Sequence, residues 1–257
     1  MKNGFRILTA LLLVTLTGLA AGPQLSTPPV VPADPAAAGR ELVARLLAIR
    51  PEASATNQAV LRVYTGRNLR FEIPVRIEVQ AGDNSWSTTY RTEGTNKEHA
   101  AALTVTHFPN RPNEYRVAVF SRPPGDTNEF QIVTGAQAFV PFADSDYLLA
   151  DLGLEFLHWP TQRLLQKELC RGQSCDKLES VAPAGWTNGY VRVVAWFDID
   201  TGGPVLVEAY DAAGRNVKEF KPNDFKKVNG QWQVQEMEMS NFRTGSRTTL
   251  HFQFAPP

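Results

Sequence analysis

The sequence has no excess of charge of either sign. Lysine and arginine together number 26, aspartate and glutamate also number 26, and the formal net charge is zero. A nucleic-acid-binding domain normally presents a basic face, and docking to an anionic membrane surface needs a basic cluster. The composition therefore argues against nucleic acid as a partner and against simple electrostatic binding to anionic lipid.

The recognisable signatures of catalysis are missing as well. The chain contains no G-x-S-x-G elbow, no H-E-x-x-H helix, no phosphate-binding glycine loop and no calcium loop. We therefore expect no cofactor, no metal and no enzymatic activity, although an active site assembled from distant residues stays open. The four histidines are scattered without metal-ligand spacing: His99, His107, His158 and His251.

The sequence also lacks an apolar run of the length that spans a bilayer, which is about 20 residues. Its apolar stretch begins at Ile7, follows the positive residues Lys2 and Arg6, and leads to small residues at positions 18–22. This order is typical of a cleavable export signal, and a transmembrane anchor is the weaker alternative. We predict that residues 1–22 are a signal peptide and that the mature protein is soluble and periplasmic.

Cysteine is rare, and the two cysteines of the chain, Cys170 and Cys175, flank a short turn that contains Gly172. In an oxidising compartment such a pair favours a disulfide that closes a hairpin. A metal site would need further ligands, of which His158 is near, and a redox pair usually has tighter C-x-x-C spacing. The prediction is a structural disulfide, with the metal site and the redox pair as alternatives.

A proline-rich segment and a helix precede the main part of the chain. Residues 23–35 are expected to form an extended linker, because prolines recur there among small residues. Asp34 can cap a helix that has Pro35 in its first turn and ends before Pro51. We predict that residues 36–257 form one domain.

Strands dominate the rest of the sequence. From residue 189 to residue 254, β-rich segments alternate with turn sequences such as Asp-Ala-Ala-Gly and Asn-Gly. Several of these segments are apolar on both faces, which fits a curved antiparallel sheet that is covered on its concave side. The pattern predicts a mainly β protein with few helices. Earlier strands are predicted at residues 59–64, 69–79, 85–92, 101–108 and 114–120.

One segment interrupts the strands. Residues 144–153 begin with the potential caps Asp144 and Ser145, carry leucines at helical spacing and end at Gly153. We predict a short helix that crosses the sheet, and an ordinary connector is the alternative. We interpret the acidic residues here as caps and a solvated helix face rather than as paired catalytic carboxylates. They are Asp144, Asp146, Asp151 and Glu155.

The last strands supply a candidate binding surface. In a regular strand, Trp232 and Met237 would point to opposite faces of the sheet. A bulge near Gln235 or Glu236 would bring the apolar residues around them to one face. A curved sheet needs a helix or a ligand against such a face, and methionine suits flexible ligands. We predict that this face lines an apolar cavity. Its residues are Trp232, Val234, Met237, Met239, Leu250, Phe252 and Phe254.

Several short motifs follow one another in a recognisable order. They are Ser145-Asp146-Tyr147 with Asp151-Leu152, then Val193-Val194-Ala195-Trp196-Phe197-Asp198, residues 204–210, residues 211–215, and Met239-Ser240-Asn241 with Thr244-Gly245 and Thr248. In this order and spacing, the chain resembles the periplasmic outer-membrane lipoprotein-sorting proteins, the LolA-like carriers and their relatives. The N-terminal helix fits the same family.

The resemblance implies an incomplete β-barrel with helices as a lid over a cavity that holds the acyl chains of lipoproteins. It also implies a latch, because the carriers place an arginine beside Pro-Asn, and Arg111-Pro112-Asn113 is similar; an ordinary turn arginine is the alternative. The implied partners are acyl chains, an inner-membrane donor and an outer-membrane acceptor. The lid residues would be Tyr147, Leu148, Leu149, Leu152 and Arg111.

Three functions are consistent with these patterns. The first is a periplasmic carrier that holds acyl chains and helps to sort lipoproteins to the outer membrane. The second is a lipid-binding sensor on the same fold, and the third, which fits less well, is an enzyme with a dispersed active site. The chain is longer than the simplest carriers and has the additional Cys170–Cys175 turn, so the resemblance leaves the cargo open.

Overall fold

The computed structural model describes residues 31–93, 99–119, 129–228 and 231–254. The predicted signal peptide, most of the predicted linker, residue 120 and the Asn-Gly turn at 229–230 lie outside these residues. The helices and strands in chain order are α1 (Pro35–Leu47), β1 (Ala55–Thr65), β2 (Asn68–Gln80), β3 (Trp86–Thr92), β4 (Ala102–His107), β5 (Glu114–Val119), β6 (Glu129–Val133), α2 (Leu149–Leu152), β7 (Thr161–Cys170), β8 (Gln173–Val181), β9 (Arg192–Asp198), β10 (Pro204–Tyr210), β11 (Asn216–Val228), β12 (Gln231–Asn241) and β13 (Ser246–Gln253). Two short 3-10 helices occupy Gly135–Ala138 and Glu155–His158.

The thirteen strands form one antiparallel sheet in the order β6-β5-β4-β3-β2-β1-β13-β12-β11-β10-β9-β8-β7. The sheet is curved and unclosed, as the sequence predicts. The first and last strands pair at its centre, whereas β6 and β7, which are consecutive along the chain, form its opposite edges. The chain between them must therefore pass over the whole sheet. We call residues 134–160 the crossing segment.

Helix α1 begins and ends as predicted. The Asp34 carboxylate accepts hydrogen bonds from the N–H groups of Ala36 and Ala37 at 3.0 and 2.9 Å, and proline occupies the first turn. The helix packs on β7 and buries Leu42 and Leu46. Within the described residues, no helix is long and apolar enough to cross a membrane.

The predicted strands are present with ends shifted by a few residues. Strands β1 to β5 cover the five early segments, and β9 to β13 fill residues 189–254. Strand β6 lies outside the segments predicted from sequence. For the hairpin β7–β8, the sequence predicted the turn between Cys170 and Cys175 but not the bounds of the two strands. The register aligns inward-facing side chains in rows, so that Met239 lies opposite Thr248 on one side and Phe220 on the other.

The apolar side chains form two large clusters on the covered face and a small one on the other. The first cluster lies under β1–β5, β12, β13 and the crossing segment, and the second lies between α1 and β7–β11. The third contains Val194, Trp196 and Cys175. Strand β9 is therefore buried on both sides, which explains its continuous apolar sequence.

The predicted bulge in β12 is present. The register between β11 and β12 shifts so that Asp224 pairs with Glu236 and Phe225 pairs with Val234, which leaves Gln235 unpaired. As a result, Val234 and the two methionines of β12 are all buried in the first cluster. Trp232 is the exception, because 40% of its surface is exposed.

The predicted disulfide is absent from the structure, since Cys170 and Cys175 are both free thiols. The hairpin register places Cys170 opposite Gln173 and Cys175 opposite Glu168. The two cysteines therefore share one face of the hairpin as diagonal neighbours rather than as a directly opposed pair. Burial raises the pKa of Cys175 to about 12, so this thiol stays protonated and packs as a small apolar side chain.

Candidate functional site

The crossing segment forms one side of the candidate site, and it is less helical than its sequence predicts. Ala143 and Asp144 adopt left-handed φ values of 49° and 53°. The Phe142 N–H donates to the Tyr147 carbonyl oxygen at 2.8 Å, which closes a tight loop. The predicted helix over residues 144–153 is therefore wrong in extent, because only Leu149–Leu152 is α-helical. The prediction that this segment crosses the sheet is confirmed.

Asp146 attaches the start of the crossing segment to the central strands. Its carboxylate accepts hydrogen bonds from the hydroxyls of Ser246 at 2.6 Å and Thr248 at 2.8 Å, and from the Asn241 amide at 3.1 Å. Its backbone N–H donates to the Thr248 hydroxyl at 2.9 Å. Asp146 and Thr248 are both buried, so these contacts fix the segment to β12 and β13.

Asp151 makes the second attachment. Its carboxylate accepts from the Leu148 N–H at 2.8 Å and from the Tyr190 hydroxyl at 2.6 Å, and it forms an ion pair with Lys218 of β11 at 2.5 Å. Only about a tenth of each charged side chain is exposed. A buried charge is tolerated when it is both paired and hydrogen-bonded, and Asp151 meets both conditions.

The third attachment joins the end of the segment to β5 and the residues before it. The Tyr115 hydroxyl donates to the Glu155 carboxylate at 2.9 Å, and the Asn113 side-chain amide donates to the Gly153 carbonyl oxygen at 2.7 Å. Burial raises the pKa of Glu155 to about 7, although the hydrogen bond from Tyr115 opposes the shift. Glu155 is thus close to half protonated at neutral pH.

These contacts correct the interpretation of the acidic residues. Asp144 is exposed and contacts His99 at 2.9 Å, and Asp151 caps α2 as well as pairing with Lys218. Asp146 and Glu155 are buried against strands that are distant in sequence. Apart from Asp144, they are therefore attachment points of the crossing segment rather than a solvated face.

Two pockets remain between the crossing segment and the sheet. We call the first the Tyr190 pocket and the second the Tyr147 pocket. The space between atoms in them, which includes open solvent, is about 330 and 380 Å³, and the part that a water-sized molecule can enter is far smaller. Asp151, Leu154 and Phe220 border both pockets and separate them. Most of the remaining lining is apolar. Further residues of the Tyr190 pocket are Val193, Val207, Lys218 and Met239, and those of the Tyr147 pocket are Tyr90, Leu152, Met237 and Leu250.

The structure brings part of the predicted cavity lining to these pockets. Met239 borders the Tyr190 pocket, and Met237 and Leu250 border the Tyr147 pocket. Val234 and Phe252 are buried in the same cluster, and Phe254 packs against it with its ring 6.4 Å from that of Phe252. The exposed Trp232 stands apart from this group.

Four of the predicted lid residues border a pocket or pack in a core cluster, and the fifth is exposed. Tyr147 and Leu152 border the Tyr147 pocket, Leu149 is buried in the first cluster, and Leu148 packs against the second. Arg111 is exposed, and its guanidinium lies 3.5 Å from the centre of the Phe108 ring. In the Arg111-Pro112-Asn113 sequence it is the asparagine that holds the crossing segment.

Several pocket residues were not predicted from sequence. Phe220, Leu154, Tyr90 and Tyr190 each stand in segments without a distinctive motif. Lys218 could have been recognised from the sequence. It lies two residues before Phe220 on β11, so both side chains are on the same face and the lysine charge points toward the apolar side of the sheet. An inward-facing lysine in a strand indicates a buried acidic partner.

The comparisons with known proteins agree with this architecture. A family model with the description "-like: Uncharacterized protein" matches residues 126–255, just over half of the chain. No curated protein matches the sequence.

Three solved structures share the fold. A DUF1329 family protein from Desulfovibrio piger has a TM-score of 0.66 and 20% identity, covering 86% of this chain and 92% of its own. A domain from Vibrio parahaemolyticus, provisionally described as an outer membrane lipoprotein-sorting protein, has a TM-score of 0.67 and 18% identity, covering 85% and 92%. A LolA superfamily protein from Nitrosomonas europaea has a TM-score of 0.54 and 18% identity, covering 88% and 96%. The predicted incomplete barrel of the LolA type is confirmed.

Proposed function

The chain belongs to the family whose model matches residues 126–255, and we propose that it is a periplasmic carrier of acylated cargo. In this proposal, acyl chains lie between the curved sheet and the crossing segment, and the protein helps to sort lipoproteins to the outer membrane. The observation that carries the proposal is the pair of apolar pockets under a segment that is attached by polar contacts. The fold that the chain shares with a LolA superfamily protein, and with a domain provisionally described as an outer membrane lipoprotein-sorting protein, supports it.

The energetics of the pockets suit acyl chains. Each buried methylene contributes about 0.8 kcal/mol, so one enclosed chain gives substantial binding energy without any specific polar contact. The methionines of the lining, Met237 and Met239, adapt to flexible chains more easily than branched side chains do. A chemically uniform and flexible ligand therefore matches this lining better than a rigid polar substrate.

Loading a long chain requires movement of the crossing segment. Leu154 and Phe220 border both pockets, and neither pocket as it stands has room for an acyl chain, so the space must widen before a chain can enter. If the segment moves away, its hydrogen-bonding groups can exchange protein partners for water. Release to a receiving protein would use the same movement in reverse, with an inner-membrane donor and an outer-membrane acceptor as partners.

The direct test is native mass spectrometry of the protein purified from its own cell envelope. We expect additional masses that correspond to acylated lipid or lipoprotein and that disappear after denaturation. Replacing Met239 in the Tyr190 pocket by glutamine should reduce this cargo, whereas the same change at the exposed Phe242 should leave it unchanged. Correctly folded wild-type protein that carries no lipid and takes up none would overturn the proposal.

Two further outcomes separate the alternatives. Depletion of a carrier should move lipoproteins from the outer to the inner membrane fraction, whereas depletion of a sensor should change the stress response without that shift. Conversion of the bound lipid into a product with a different mass would indicate an enzyme instead.

A further inference from the structure

The Tyr147 hydroxyl is a buried hydrogen-bonding group without a partner in the described part of the chain. Only 3% of the residue is exposed, and it borders the Tyr147 pocket. Leaving a buried hydroxyl unpaired costs free energy comparable to a lost hydrogen bond. Such a group next to an apolar pocket needs an explanation, and a ligand acceptor supplies one.

The position of this hydroxyl is fixed by the surroundings of Tyr147. Its backbone N–H donates to the Ser145 hydroxyl at 3.2 Å, and its carbonyl oxygen accepts from the Phe142 N–H. Its ring packs edge-on against the Phe220 ring, with the centroids 6.2 Å apart. The backbone and the ring of Tyr147 are therefore both held in place.

The charged group at this pocket, the Asp151 carboxylate, already has partners. Asp151 is bonded to Lys218, Tyr190 and the Leu148 N–H. Burial, with a smaller contribution from the Asp151 charge, raises the pKa of Tyr147 well above its usual value, so the hydroxyl remains protonated and can donate. The Tyr147 hydroxyl is thus a buried donor without a partner among the described residues, in a mostly apolar lining that also includes Tyr90.

The chemistry of this arrangement selects a neutral acceptor. A carboxylate would lose its hydration on entering the pocket and would lie near the charge of Asp151, both of which are unfavourable. An ester carbonyl accepts a hydrogen bond without carrying a charge. It also connects directly to the hydrocarbon chain that the apolar lining favours.

We propose that Tyr147 recognises acyl esters by donating a hydrogen bond to an ester carbonyl oxygen while the attached chains occupy the pockets. The inference rests on the proposed carrier function and narrows its ligand class to acyl esters rather than free fatty acids. Diacylglyceryl groups, as they occur in lipids and lipoproteins, have this chemistry.

The test compares dioctanoylglycerol, its ether counterpart di-O-octylglycerol, and octanoate, by calorimetry on the wild type and on Tyr147→Phe. We expect the wild type to prefer the ester over the ether by about five- to tenfold, the value of one hydrogen bond, and to bind octanoate least. Tyr147→Phe should abolish the preference by weakening ester binding alone. Its thermal stability without ligand should be unchanged or higher, because the change removes an unpaired hydroxyl.

Tyr64→Phe is the matched control, because it also removes one phenolic hydroxyl, whereas Tyr64 packs against Arg247 and borders neither pocket; this variant should keep the ester preference. Equal weakening of ester and ether by Tyr147→Phe would show that the residue only shapes the pocket and would overturn the inference. An unchanged preference in Tyr147→Phe would also overturn it, as would loss of the preference in Tyr64→Phe or in Tyr90→Phe, which removes the other tyrosine hydroxyl of the pocket lining. If the wild type binds the ester and the ether equally, the inference fails while the carrier function stands. If it binds neither, the carrier proposal itself fails.

Discussion

Helix α1 and the crossing segment both cover the concave face of the sheet, but they are attached in different ways. Helix α1 inserts Leu42, Val43 and Leu46 into the second cluster, and Gly39 lies directly against the backbone of β7. The crossing segment also buries apolar side chains, yet two pockets border it. Its attachment depends on the buried residues Asp146 and Glu155 and on the partly buried Asp151.

This difference indicates which cover is permanent. Separating closely packed apolar surfaces exposes them to water at a cost that nothing offsets. Polar attachments can be replaced by water, and the space under the crossing segment can be taken by a ligand. We therefore expect the crossing segment to be the cover that opens and α1 to belong to the fixed scaffold.

The largest expected effect comes from breaking the Asp151–Lys218 pair. Asp151→Asn leaves the Lys218 charge buried without its partner, and we expect a loss of about 3–5 kcal/mol in the free energy of unfolding. Denaturation in urea measures this loss. The exposed pair between Arg62 and Glu72 is the control, because Glu72→Gln should cost less than about 1 kcal/mol. The double change Asp151→Asn with Lys218→Met should recover most of the stability, because it removes the unpaired charge while the asparagine oxygen can still accept a hydrogen bond from Tyr190 or Leu148. Similar losses in all three variants would contradict the account.

The next effect tests the packing of α1. A Cβ added at Gly39 would lie 2.6 Å from the Arg163 nitrogen, which is a backbone atom. We expect Gly39→Ala to cost about 1–3 kcal/mol in thermal or urea unfolding, in spite of the higher helix propensity of alanine.

Gly153→Ala is the counterpart in the crossing segment, where the added Cβ would meet the end of the Tyr115 side chain. A side-chain ring can shift where a backbone cannot, so we expect faster amide exchange in the crossing segment with a smaller loss of global stability. If Gly153→Ala lowered global stability as much as Gly39→Ala does, the two covers would not differ.

A third comparison separates Asn113 from Arg111. Asn113→Ala removes the donor to the buried Gly153 carbonyl oxygen and should cost about 1–3 kcal/mol, together with weaker ligand retention. Arg111→Ala removes only an exposed contact with the Phe108 ring and should change stability by less than about 1 kcal/mol. Urea denaturation of both variants decides between them, and a larger effect of Arg111→Ala would make Arg111 the latch after all.

The last effect is a dependence on pH through Glu155. Its pKa rises from 4.5 to about 7 on folding, mainly because of burial. The folded protein thus binds this proton more tightly, and the stabilisation is complete below pH 4.5 and is lost as the pH rises through about 7.

The buried His107 and the partly buried His158 act in the opposite direction. Burial lowers the pKa of His107 to about 3 and that of His158 to about 4, so their contribution is present above their ordinary pKa and is lost as the pH falls. The histidines contribute equally to the stability of the wild type and of Glu155→Gln, so their contributions cancel when the two stabilities are subtracted. Relative to Glu155→Gln, the wild type should lose stability in urea between pH 5 and pH 8, and parallel stability curves would contradict the assignment.

The sequence was sufficient for the features that depend on local pattern. Alternating apolar residues predicted most strands, the change of parity near Gln235 predicted the bulge, and Asp34 with Pro35 predicted the start of α1. The partners of the acidic residues depend on contacts between distant parts of the chain. Nothing near Asp146 indicates that Thr248 will supply its hydrogen bonds. Asp144 and Ser145 suggest a helix cap, but Ala143 and Asp144 have left-handed φ values and a tight loop forms there instead.

The most direct test of the account is hydrogen exchange of the crossing segment and of α1, with and without dioctanoylglycerol. We predict that the amides of residues 141–153 exchange faster than those of α1 and of residues 193–197 in β9, and that the ligand slows exchange mainly in the crossing segment. Equal protection of the two covers, unchanged by the ligand, would show that the crossing segment is fixed core and would contradict its role as the movable cover of an acyl-binding site.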